Sequence, residues 1–121
     1  MPALNFQERF ADAVETHKKR QTIRRVWKRP IKPGDTLYLK MGMRTKRCRK
    51  LGKEVCSDYR PITINEHSIS LLTNLGTLEI WPEGYPLAWF ARKDGFDSWE
   101  EMRDWFRDRY GLPFEGVLIT W

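Results

Sequence analysis

The run Lys18-Lys19-Arg20-Gln21-Thr22-Ile23-Arg24-Arg25 places five cations within eight residues. Neighbouring cations repel the charged form of a lysine held among them and so lower its pKa. A lysine that is neutral near pH 7 can take a proton from a hydroxyl. Lys19 stands three residues before Thr22, which is the composition of a hydroxyl–lysine nucleophile pair. Thr22 and Arg24 share a face if a strand opens here. Arginines in such a cluster also hold phosphate through charge and a planar fork of donors. The plainer alternative is strand propensity at Thr22 and a solvated turn at Lys19.

Around this run the charge is unevenly spread. Of the net +6, residues 1–60 carry 17 basic and 6 acidic side chains, whereas residues 61–121 carry 5 and 10. Lys18 through Lys53 alone hold 15 basic residues against the single acid Asp35. Such a segment favours a polyanion. Trp27, Tyr38 and Tyr59 lie in or beside it, and aromatic faces among cations suit unpaired bases that stack while phosphates are neutralised. The candidate nucleic-acid contacts are Lys18, Arg20, Arg24, Arg25, Trp27, Lys28, Arg44, Lys46, Arg47, Arg49 and Lys50. A solvated lysine-rich surface is the alternative.

Other classes are set aside on composition. At 121 residues with 40% hydrophobic and 13% aromatic side chains, the chain has the size and core material of one domain spanning 1–121, and is no disordered polymer. No apolar run approaches the roughly 18–20 residues needed to span a bilayer. Glu8 and Arg9 interrupt the stretch where a signal peptide would need an apolar run, so no membrane is expected and a cytoplasmic location is. Two cysteines, Cys48 and Cys56, fit a reducing compartment as free thiols. Together with His67 they lack the short spacing of common zinc sites, so no metal or other cofactor is expected.

The hydrophobic pattern supplies the elements that must position these residues. Phe6, Phe10 and Val14 at four-residue spacing predict a helix from Asn5 to about Thr16, with Asn5 as N-cap. Thr22 to Trp27 reads as a first strand. Pro33-Gly34-Asp35 is a turn, followed by a strand at Leu37, Leu39 and Met41. Residues 42–58 form a basic hairpin or an exposed loop. Period-two patterns at Ile62 and Ile64, Ile69 and Leu71, and Leu78 and Ile80 give short strands. Leu87, Trp89 and Phe90 begin a short helix ending near Gly95. Ser98-Trp99-Glu100-Glu101 has capping-box spacing, opening a helix on Trp99, Met102, Trp105, Phe106 and Tyr110 that ends at Gly111. Trp81, Trp89, Trp99 and Trp105 are expected in the core. Val117, Ile119 and Trp121 mark a last strand. The sum is an α+β domain, with five or six strands in a sheet or small barrel flanked by helices.

These motifs occur in a telling order. A phenylalanine-rich first helix leads to Lys19-x-x-Thr22-Ile23-Arg24. A Lys32-Pro33-Gly34-Asp35 turn follows, then Ala91-x-x-Asp94-Gly95-Phe96, and an apolar final strand. Over nearly the whole chain this resembles the activating signal cointegrator homology (ASCH) domain. The resemblance implies a PUA-like fold, a small β-barrel with packed helices, and RNA or nucleotide binding.

Some small bacterial members of that family are amidohydrolases that remove the acetyl group of N4-acetylcytidine using a lysine, a threonine and an acid. By resemblance these fall on Lys19, Thr22 and Asp94, where those enzymes carry a glutamate. The expected partner is RNA, single-stranded nucleic acid or a modified cytidine nucleoside. Two alternatives are an amidohydrolase of the same fold and an accessory protein that binds an acidic protein.

Overall fold

Leu4 and Phe6 are buried on either side of exposed Asn5. This alternation belongs to an extended chain and not to the first turn of a helix. A computed structural model of the protein describes residues 3–26, 31–80 and 86–121. In it the chain opens with strand β1, Ala3–Phe6, and helix α1 follows at Glu8–Glu15. Asn5 is therefore not the N-cap. Gln7 holds that position without a side-chain cap, and Asn5 instead accepts a hydrogen bond from the Met43 amide at 2.9 Å through Oδ1.

The remaining elements are β2 (Gln21–Arg24), β3 (Thr36–Met41), β4 (Arg49–Val55), β5 (Asp58–Ile64), β6 (Ile69–Thr73), β7 (Gly76–Ile80), α2 (Pro86–Lys93), α3 (Trp99–Tyr110) and β8 (Phe114–Thr120). The fold is α+β, with eight strands among the described residues and not the five or six expected. They form two sheets, ordered β1-β3-β4 and β2-β8-β5-β6-β7. β1 runs parallel to β3, and all other pairs are antiparallel.

The two strands absent from the sequence reading, β1 and β4, flank β3 in the smaller sheet. β4 shows no apolar alternation because only Leu51 of its seven residues is buried. The basic stretch is thus a hairpin, with Arg44, Lys46 and Arg47 in its exposed connection and Arg49 and Lys50 opening β4. The β3–β4 ladder runs on past both strands, with the Gly34 amide bonded to the Cys56 carbonyl and the Cys56 amide to the Asp35 carbonyl, each at 2.8 Å. The next residue, Ser57, bonds to the Thr120 carbonyl of β8 at 2.8 Å, so the chain passes from the smaller sheet to the larger at Cys56-Ser57.

One core unites the two sheets and the three helices. Leu4, Leu37, Leu39, Ile64, Ile69, Leu87, Met102, Phe106 and Ile119 are its most enclosed side chains. α1 crosses β3 and β4, while α3 packs on α2 and β8. Ser98 caps α3, accepting from the Glu101 amide at 3.1 Å as the capping-box spacing predicts. Trp99 is buried and Trp105 packs against the core, but Trp89 is 57% exposed, with Lys93 Nζ 4.3 Å from its ring centre, and is not a core residue. Trp81 lies outside the described residues. No described helix is long and apolar enough to cross a membrane.

Gly116 lets β2 approach β8. A methyl group there would lie 2.3 Å from the Arg24 carbonyl oxygen, a backbone atom that cannot swing aside. Gly116→Ala should therefore cost about 2 kcal/mol or more, as other overpacked sites do. Loss of the Ser98 cap in Ser98→Ala should cost about 1 kcal/mol. Urea unfolding monitored by tryptophan fluorescence checks both.

Candidate functional site

Two helix ends meet at the site. Helix α1 closes with the Lys18 amide bonded to the Ala13 carbonyl at 2.9 Å and the His17 amide to the Val14 carbonyl at 3.2 Å, with His17 at φ +64°. This is a Schellman closure, which reverses the chain and sends Lys19 inward. Helix α2 ends in the same way. The Phe96 amide bonds to the Ala91 carbonyl and the Gly95 amide to the Arg92 carbonyl, each at 3.0 Å, with Gly95 at φ +98°. Asp94 is consequently the C-cap of α2. Gly95 is required twice over: by its left-handed φ, and because a methyl group there would lie 2.8 Å from the Phe10 ring.

Lys19 and Asp94 are each only 3% exposed. Lys19 Nζ donates to the Asp94 backbone carbonyl and lies 3.3 Å from its Oδ1. A cation at the C-terminal end of a helix answers the free carbonyls and the negative end of the helix dipole. Burial pushes the Lys19 pKa down, opposed by Asp94 and aided by Arg24 and Arg9. Burial pushes the Asp94 carboxyl up, opposed by Lys19, the Gln21 side chain and Arg24. Each group therefore stands closer to its neutral form than it would in water.

β2 supplies the next two residues. Thr22, buried, accepts from Arg24 Nε at 3.1 Å, and Arg24 Nη2 donates to the Asn5 carbonyl at 2.7 Å. The hydroxyl hydrogen of Thr22 is left to donate elsewhere, and the guanidinium favours negative charge on its oxygen. Burial lowers the Arg24 pKa, opposed by Asp94 and Tyr110.

Lys19, Thr22, Arg24 and Asp94 line one cavity of about 270 Å³ together with Asn5, Gln7, Ile23 and Arg109. Its apolar walls are Phe6, Phe10, Phe96, Trp105, Phe106 and Tyr110. Apart from Phe6, which packs on Trp121, those rings brace one another, for example edge to face in Phe10 on Phe96 at 5.4 Å and Trp105 on Phe106 at 4.8 Å. The cavity is small for a ligand pocket, which commonly holds about 300–1,000 Å³.

The nucleic-acid candidates divide. Arg24 is inside the cavity, and Arg25 stacks on Tyr110 with its guanidinium carbon 4.6 Å from the ring centre. Lys18 is exposed, and Arg20 donates to the Trp121 carbonyl at 3.0 Å. Arg44, Lys46, Arg47, Arg49 and Lys50 belong to the β3–β4 hairpin, where Arg49 faces Asp12 at 3.6 Å and Glu15 at 3.9 Å on α1. The connection of that hairpin is tied to the cavity lining, where the Met43 amide is bonded to Asn5. Trp27 and Lys28 lie outside the described residues. Tyr38 has Lys53 Nζ 5.8 Å from its ring centre, while Tyr59 packs against the core. Cys48 is an exposed free thiol and Cys56 a buried one.

Sequence reasoning missed Gln21 beside Asp94, and Arg109 on α3. Trp105 and Arg109 stand four residues apart on a helix, the spacing at which side chains meet, so that signal was available. Gln21 has no such signal, because its role depends on where α2 ends. Compared with known proteins, the chain matches no family model, no curated protein and no solved structure.

Removing one member of a buried charged pair strands the other, at about 3–5 kcal/mol, whereas removing both does not. Lys19→Met and Asp94→Ala should each be that destabilising, and the double variant should lose less than the sum. The linkage also has a sign. Between 3.8 and the raised Asp94 pKa the folded chain holds more protons than the unfolded one, so stability falls as pH rises. Between the lowered Lys19 pKa and 10.5 the unfolded chain holds more, so stability rises with pH. Asp94→Asn should abolish the acid-side slope and widen the alkaline one. Urea midpoints across pH check it.

Proposed function

We propose that this chain binds RNA or a free nucleotide, receiving a base in the cavity lined by Lys19, Thr22, Arg24 and Asp94 while the β3–β4 hairpin holds phosphate. The observation that carries this reading is convergence. Four polar groups from the end of α1, from β2 and from the end of α2 reach one aromatic-walled cavity sized for a nucleoside. The aromatic faces offer an apolar bed to the base, and Asp94, Thr22 and Lys19 offer donors and acceptors to its polar edge.

The cationic connection of the hairpin is tied to the cavity lining through Met43 and Asn5, which gives a backbone a path from Arg24 and Arg25 toward Arg44 and Arg47. In this reading the chain is an ASCH domain, and its two sheets, between which the chain passes at Cys56-Ser57, are the halves of a PUA-like barrel. Affinity for single-stranded RNA should fall steeply with salt, and Arg44→Ala with Arg47→Ala should reduce the log–log slope by about one for each phosphate contact removed. Filter binding from low to high salt reads both; no retention at low salt rejects the binding reading.

A second reading, hydrolysis of the N4-acyl amide of cytidine, is favoured by Arg24 donating to the oxygen of Thr22 within the cavity that holds the buried Lys19. Neutral Lys19 takes the Thr22 hydroxyl proton as the oxygen attacks the acyl carbon. The carbon–nitrogen bond breaks, and the exocyclic nitrogen leaves with the proton returned by Lys19, oriented by Asp94. Water then cleaves the threonine ester, releasing the carboxylic acid and restoring the hydroxyl. Incubation with N4-acetylcytidine should release cytidine and acetate by chromatography, and Thr22→Val should slow release at least about a hundredfold. Equal release by that variant, or none by the parent, rejects hydrolysis and leaves binding to its own test.

A further inference from the structure

Most arginines of α3 are already answered by acids. Arg103 meets Asp104 at 3.1 Å, and Arg107 meets Glu66 at 2.6 Å and Asp104 at 3.3 Å. Arg9, near the same cavity, pairs with Glu101. Arg109 differs. Its guanidinium carbon lies 4.4 Å from the centre of the Trp105 ring. With its amide oxygen turned toward that guanidinium, Gln7 accepts from Nη1 at 3.1 Å and from Nη2 at 2.7 Å. Among the described residues no carboxylate is within ion-pair distance of Arg109, including its neighbour Asp108.

Arg24 is placed in the same way. Among the described residues it bonds only neutral oxygens, those of Thr22 and Asn5, with its guanidinium carbon 4.9 Å from the centre of the Phe6 ring. Both residues line the cavity. Lys19 is the cation that Asp94 meets at ion-pair distance, and Asp94 reaches Arg24 only over a longer range, so among the described residues Arg24 and Arg109 are two cations with no carboxylate at ion-pair distance. Each has its guanidinium carbon over an aromatic ring and donates to a neutral acceptor, the arrangement in which an arginine fork is ordered in advance of an anion.

We propose that the ligand of this cavity is a nucleoside monophosphate, its base inside and its phosphate monoester held by Arg24 and Arg109. A phosphate monoester carries about −1.5 to −2 at pH 7, which matches the two unanswered cations. The proposal rests on the reading of the cavity as a base pocket and adds the anion to it. It concerns a residue of α3 that lies outside the basic Lys18–Lys53 segment.

Isothermal titration of the full chain with cytidine and with its 5′- and 3′-monophosphates tests it. At least one monophosphate should bind about tenfold or more tightly than cytidine, the scale of one charge-assisted hydrogen-bonded contact. In Arg109→Gln that ratio should fall toward one. Arg109 is exposed, so the variant should keep the parent melting curve. Equal binding of cytidine and both monophosphates overturns the proposal while leaving the base pocket standing, and so does a preference that Arg109→Gln does not reduce. Binding of none of the three removes the base pocket itself and the phosphate assignment with it.

Discussion

The contact between Lys19 and Asp94 is the constraint on which the site depends. Two charged side chains, each 3% exposed, are tolerated because they face one another and because Lys19 also satisfies a carbonyl at the end of α2. Such a pair contributes little to net stability compared with an apolar replacement, but it is expensive to break. It therefore acts as a registration device between α1 and α2. Every other polar group of the cavity is placed relative to it: Gln21 beside the carboxylate, Arg24 within its electrostatic reach, and Thr22 on the next strand position.

The surrounding structure makes that burial possible. Both helices end in the same six-residue closure, so the chain turns sharply enough to point Lys19 and Asp94 at each other across the fold. The Asp94-Gly95-Phe96 corner fits only because Gly95 has no side chain to strike Phe10, and Phe96 then joins the ring cluster on Phe10, Trp105 and Phe106. That cluster keeps water from the pair and forms the walls of the cavity at the same time. Burial that shifts both pKa values and the apolar surface a base would rest on thus have one origin.

The charge asymmetry acquires a geometry in the fold. The basic segment is not one patch: part of it lines or flanks the cavity, part is the β3–β4 hairpin, and Arg49 is turned against the acidic face of α1. The acidic C-terminal half meanwhile contributes Arg109, a cation without a carboxylate partner among the described residues. Counting charge along the chain pointed toward a polyanion. The cations that carry the site are those left unanswered in space.

Local signals in the sequence determined much of this protein. The Ser98 cap, helix α3 with its apolar stripe, the Gly95 and Gly111 stops, the turn before β3 and the final apolar strand each depend on interactions within a few residues, and all occur. Lys19, Thr22 and Arg24 stand out in the composition of one short run, whereas Asp94 is singled out only by the family resemblance. What misled was local as well. Phe6 fits the helical spacing of Phe10 and Val14, yet its partner is β3, to which β1 is parallel; β4, largely exposed, has no pattern to read. Only the tertiary structure decided that residues 75 positions apart share a buried contact, that six aromatic side chains enclose the space beside it, and that Arg109 completes its rim. The physical reason is that burial and pairing belong to the packed molecule. A side chain becomes a buried acid or an unanswered cation through neighbours that the chain supplies from far away.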